Sequence, residues 1–154
     1  QITRPSPGGL TSGGQYYKMK GVKNMDYSPW GAIQHSEEIT PGVRFVSTSR
    51  HGGIMITKNF AEKHLTPACR KHGLVYGDYY CYEEDCLWAI PAYELPQYWR
   101  KIFSYMKVEN PEQYLYRTIS AWNAEYLLER GIAPDPVSYQ HYVQFMRECY
   151  GKIV

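Results

Sequence analysis

The sequence predicts an α+β fold: a small antiparallel sheet in the first two thirds of the chain, packed against C-terminal helices. Three observations carry this. Val43-Arg-Phe-Val-Ser47 alternates apolar and polar residues, and the apolar run Ile54-Met-Ile-Thr57 follows it across a tight glycine-bearing connection, which is the pattern of a β-hairpin. Asn110-Pro111-Glu112-Gln113 and Asp135-Pro136 are helix openings, each with a side-chain cap followed by proline at the first helical position. No internal repeat or shift of composition divides the chain, so one domain accounts for it.

Residues 1–15 contain Pro5-Ser-Pro-Gly-Gly9 and Gly13-Gly14 with almost no large apolar side chain, and are expected to be a flexible tail ahead of a single domain over 16–154. Tyrosine, lysine and methionine alternate over 16–27 as in an edge strand. Trp30 to Ile39 reads as a strand closed by the Pro41-Gly42 turn. Residues 58–73 read as helix in two pieces, broken at Thr66-Pro67 and ended by Gly73. Tyr79-Tyr-Cys-Tyr82 has strand composition and Glu83-Glu84-Asp85 favours a helix start, so Tyr79 to Ile90 is expected to run from strand into short helix. A helix is expected over Leu95 to Met106. The helix opened by Asn110 carries Tyr114, Leu115, Ile119, Trp122, Tyr126 and Leu127 as one apolar stripe up to Gly131. The last helix has Val137, Tyr142, Val143, Phe145, Met146 and Cys149 as core candidates.

Composition limits the function classes. The 154 residues include sixteen tyrosines and four tryptophans against four phenylalanines. Such rings bury a large face while keeping a polar tip, which suits wet-edged cores and recognition surfaces alike. A net charge of +2 is too mild to demand a nucleic-acid partner. No apolar run approaches the roughly 20 residues that span a bilayer. The four cysteines form no Cys-x-x-Cys pair, so reduced thiols in a cytoplasm are expected and no disulfide is.

Two segments could carry chemistry. In Ser47-Thr-Ser-Arg-His51-Gly52-Gly53, paired glycines permit close backbone approach beside hydroxyls and an imidazole, although a plain hairpin turn explains the same pattern. In Tyr82-Glu83-Glu84-Asp85-Cys86-Leu87-Trp88, an acidic run is wedged between aromatic and apolar residues, although such runs commonly mark a solvated turn. His51, Asp85 and Cys86 are the candidates for a thiolate nucleophile with its base and orienting acid. Gly52, Gly53, Glu83, Glu84 and Trp88 are the accompanying binding candidates. His51 with Glu83 or Glu84 and Cys86 could equally hold a divalent metal, but the spacing matches no metal signature, and no metal or other cofactor is expected.

Trp30-Gly31, Ile39-Thr-Pro-Gly42-Val43, Val46-Ser-Thr48, His51-Gly-Gly53 and Tyr82-Glu-Glu-Asp-Cys86-Leu-Trp88-Ala89, taken together, resemble a small domain family of unknown function from bacteria, plasmids and phages. The resemblance covers about residues 29–100 and leaves a helical extension over about 105–150. It implies that His51, Gly52, Gly53 and Glu83 to Cys86 meet in space, and its mobile-element setting implies interaction with a host. The expected function is therefore a cytoplasmic phage or plasmid accessory protein that binds and inhibits a host protein, such as a CRISPR-Cas or other defence complex. The alternatives are a small Cys/His-dependent hydrolase or transferase, and a nucleic-acid-binding module using tyrosine stacking with Lys18, Lys20, Lys23, Arg100 and Lys101.

Overall fold

The computed structural model describes residues 27–151. The expected tail and all but Tyr27 of the edge strand expected over 16–27 lie outside these residues. A two-residue hairpin, β1 (Tyr27–Ser28) and β2 (Gly31–Ala32), precedes the main strands β3 (His35–Thr40), β4 (Val43–Ser47) and β5 (Gly52–Thr57). Helices α1 (Lys58–His64) and α2 (Pro67–Lys71) lead to β6 (Leu74–Tyr76) and β7 (Tyr79–Glu83). The rest is helical: α3 (Ala89–Tyr93), a 3-10 turn (Pro96–Tyr98), α4 (Trp99–Ile102), α5 (Pro111–Trp122), α6 (Ala124–Glu129) and α7 (Pro136–Tyr150). The five main strands form an antiparallel sheet in the order β3-β4-β5-β7-β6. The chain is α+β, with the sheet early and the helices late.

Alternation along the strands divides the sheet between two apolar clusters. Val43, Ile54, Ile56 and Tyr82 face the main core, which the helices complete with Ile90, Leu115, Ile119 and Leu127. Val46, Met55 and Cys81 face the other side, where Trp30 and Ile33 cover them. A period of two therefore buries both faces of the sheet's centre. Helix ends follow the caps read from sequence: Thr66, Asn110 and Asp135 accept from the backbone N–H groups of Cys69, Gln113 and Ser138.

Several expectations need correction. The strand expected over Trp30 to Ile39 is split, because the Ser28 hydroxyl donates to the Gly31 carbonyl and accepts from the Trp30 N–H, folding the chain into the β1–β2 turn. The acidic run starts no helix; Glu84 to Trp88 form a turn and α3 begins at Ala89. The helix expected over Leu95 to Met106 is reduced to the 3-10 turn and one short helix. The stripe after Asn110 belongs to two helices, since Asn123 leaves helical geometry at φ −141°. Within it Tyr114 and Trp122 are exposed, and in α7 Val137 and Cys149 are exposed rather than core.

Candidate functional site

The His-Gly-Gly and Glu-Glu-Asp-Cys segments lie side by side because β5 pairs with β7. Gly53 stands opposite Glu83, and the Glu84 N–H donates to the Gly52 carbonyl at 2.9 Å. The glycines are required by close packing. A Cβ on Gly52 would stand 2.4 Å from the Val46 carbonyl oxygen, and one on Gly53 would stand 2.2 Å from the Tyr82 carbonyl oxygen and 2.8 Å from the Trp30 ring. Thr48 organises the preceding loop: its N–H and hydroxyl both donate to the His51 carbonyl, and its hydroxyl oxygen accepts the N–H groups of Arg50 and His51. These bonds fix the backbone of His51 and leave the residue exposed.

The acidic segment forms its own turn. Glu83 folds its carboxylate back to accept the N–H of Asp85 at 2.9 Å and of Cys86 at 3.4 Å, while its carbonyl accepts the N–H of Trp88. Partial burial raises the Glu83 pKa, and the neighbouring Asp85 charge adds to that rise. Glu84 and Asp85 are exposed, whereas Trp88 is buried in the core with its ring edge-on to Phe103.

Cys86 opens onto a cleft of about 810 Å³ between this turn, the α5–α6 junction and α7. Glu83, Asp85 and Glu125 supply carboxylates to it. Trp122, Phe145, Met146 and Tyr150 supply an apolar, mainly aromatic wall. Trp122 packs edge-on against Phe145 and against the His141 ring at 4.5 Å, which holds α7 beside α5. Tyr142 donates its hydroxyl to Glu125 at 2.9 Å; burial raises its pKa and Glu125 adds to the effect. Asn123 lines the same cleft, and its buried Nδ2 has no oxygen or nitrogen acceptor.

Burial also raises the Cys86 pKa, with the Glu83 and Asp85 charges pushing the same way. The Asn123 amide beside the thiol favours the thiolate but does not reverse the shift. His51 is not among the residues that line the cleft; the backbone of the adjacent Gly52 and Gly53, not His51 itself, pairs with the acidic turn. Among the described residues no cluster of His, Cys, Asp and Glu has metal-site geometry. Of this aromatic wall, Trp122 was legible only as part of the stripe after Asn110 and Phe145 and Met146 only as α7 core candidates, while Tyr150 carries no distinct sequence signal.

The residues quoted for the resemblance converge here: Trp30 lies on Gly53, Thr48 holds His51, and Glu84 bonds to Gly52. Residues 23–136 match a domain of unknown function, DUF7007. The chain belongs to that family. The match extends past the 29–100 span of the resemblance to take in α5 and α6, and it ends at the first residue of α7. The DUF7007 part thus supplies the acidic turn and Trp122, while Phe145, Met146 and Tyr150 come from beyond the matched residues. No curated protein and no solved structure matches the chain.

Proposed function

We propose that this DUF7007 protein is a binding protein of a mobile genetic element, acting in the host cytoplasm on a host protein such as a CRISPR-Cas or other defence complex. The observation that carries the binding reading is the cleft with an exposed aromatic wall, where Trp122 is 42% and Tyr150 61% accessible. Aromatic anchors beside a polar rim are the composition that protein interfaces favour at their centres. The mobile-element origin and the host target rest on the motif resemblance. No helix among the described residues is long and apolar enough to cross a membrane.

Cys86 sits in the same cleft, so a cysteine-dependent hydrolase is the competing reading. Its electrostatics weigh against that chemistry: a nucleophilic cysteine needs a lowered pKa, and burial with adjacent carboxylates raises this one. A nucleic-acid role is weakened by the three carboxylates around the cleft, which repel phosphates.

The test is phage plating on hosts armed with individual defence systems, with the protein expressed in trans. The native chain should restore plating against at least one system, and Cys86→Ser should restore it equally. Trp122→Ala and Tyr150→Ala should lose the effect while keeping a cooperative melt. Loss of activity in a normally folded Cys86→Ser would overturn the reading in favour of an enzyme. Failure of the native chain across the panel would remove the defence target.

A further inference from the structure

Resting on the binding reading above, we infer that the cleft between the Glu83–Cys86 turn and α7 receives an arginine-bearing segment of the partner protein. The first support is charge. Glu83, Asp85 and Glu125 all contribute to the lining, and among the described residues the lining contains no lysine, arginine or histidine. An occupant with a positive charge relieves mutual repulsion within that group, whereas an anionic one adds to it. The second support is ring chemistry. Trp122 is partly exposed and lines the cleft beside the carboxylates, and a guanidinium stacks on such a ring while its N–H groups reach an acid. Lysine would satisfy the charge, but it lacks the planar fork that meets ring and carboxylate together.

The third support is size. A volume of about 810 Å³ holds several residues of such a segment, in the size range of established ligand clefts. The occupant is therefore a peptide stretch with arginine beside apolar residues, not a free cation.

The probe is a fluorescein-labelled peptide of alternating leucine and arginine, compared with the same peptide carrying citrulline, which keeps the shape of arginine and removes its charge. Fluorescence anisotropy reports binding to the full chain. The arginine peptide should bind at least tenfold tighter than the citrulline peptide, in line with charge-assisted pairing. Asp85→Asn and Glu125→Gln should each weaken it several-fold and flatten its salt dependence. Trp122→Ala should weaken it further, and Tyr105→Ala, at a surface site outside the cleft, should not. Equal binding of the two peptides, absence of binding, or insensitivity to Trp122→Ala would each overturn the inference. Should Trp122→Ala and Tyr150→Ala still abolish phage rescue while the peptides bind equally, the cleft remains the interface and only the cationic occupant is wrong.

Discussion

Gly53 shows how a residue read as a binding candidate takes a packing role once strands are paired. Its Cα has no room for a methyl group between the Tyr82 carbonyl at 2.2 Å, the Glu83 Cα at 2.9 Å and the Trp30 ring at 2.8 Å. The first two of these are backbone and cannot rotate away, so Gly53→Ala must push β5 from β7. The expected cost is about 3 kcal/mol, the upper range for overpacking, measured by urea denaturation. Gly77→Ala is the matched control. Gly77 has a left-handed φ of 58° with nothing near its absent Cβ, so it should lose only about 1 kcal/mol, the backbone penalty. Equal losses at the two sites would show that close packing is not what Gly53 serves. The neighbouring His51 is different: its backbone is bonded to Thr48 and its side chain is free of that packing. His51→Ala should therefore change the melting temperature little, and a large loss would reveal an imidazole role that the Thr48 bonds do not explain.

Elements are joined by polar side chains where helices meet. Glu94, at the C-terminus of α3, accepts the Thr66 N–H at 2.8 Å and hydroxyl at 2.6 Å, the Tyr126 hydroxyl at 2.5 Å and Arg130 at 2.9 Å. One carboxylate, 6% exposed, thereby pins α2, α3 and α6. Glu94→Leu would strand a backbone donor, a tyrosine hydroxyl and part of a guanidinium, and should cost about 3 kcal/mol. Glu94→Gln keeps acceptors and should cost less than half of that; equal losses would show that hydrogen bonds do not dominate the site. At α7 the cap sets a pH dependence. The Ser138 N–H bond holds the Asp135 pKa below its usual value, so the folded state binds the proton less readily than the unfolded one. Its stabilisation is complete above pH 3.8 and fades as the pH falls through the lower folded value. In Asp135→Asn the acid-induced loss of α7 helicity attributable to this group should disappear, as followed by circular dichroism against the native chain. The caps were legible because each is local chemistry within four residues. The break at Asn123 was not, because Tyr114 to Leu127 keeps helical spacing straight through it. Strand β6 was missed because Leu74-Val-Tyr76 is short, although the Gly77-Asp78 pair beyond it is a hairpin signal.

Across the whole molecule, the meeting of the two motif segments was implied by the motif resemblance, and the pairing of β5 with β7 brings their backbones together. The cleft was not readable, because it exists only where α7 docks through Trp122, His141 and Phe145 onto α5, and no local pattern encodes that contact. The same gap between pattern and packing sets the fates of the four free thiols. Cys149 is exposed at the end of α7. Cys69 lies in the main core, bonded to Tyr82, and burial pushes its pKa strongly up. Cys81 lies in the second cluster beneath Trp30, and burial raises its pKa to about 12. A thiolate-directed reagent at mildly alkaline pH should modify Cys149 first and Cys86, half-buried in the cleft, more slowly. Cys69 and Cys81 should react only through opening of the fold. Because β5 and β7 contribute to both clusters, opening either face disturbs the same strands. Cys69 and Cys81 should then be labelled at the same rate, with the same dependence on added urea, as expected of one cooperative unit. Faster labelling of Cys81, with a shallower urea dependence, would show instead that the β1–β2 hairpin and Ile33 peel away while the main core stays closed.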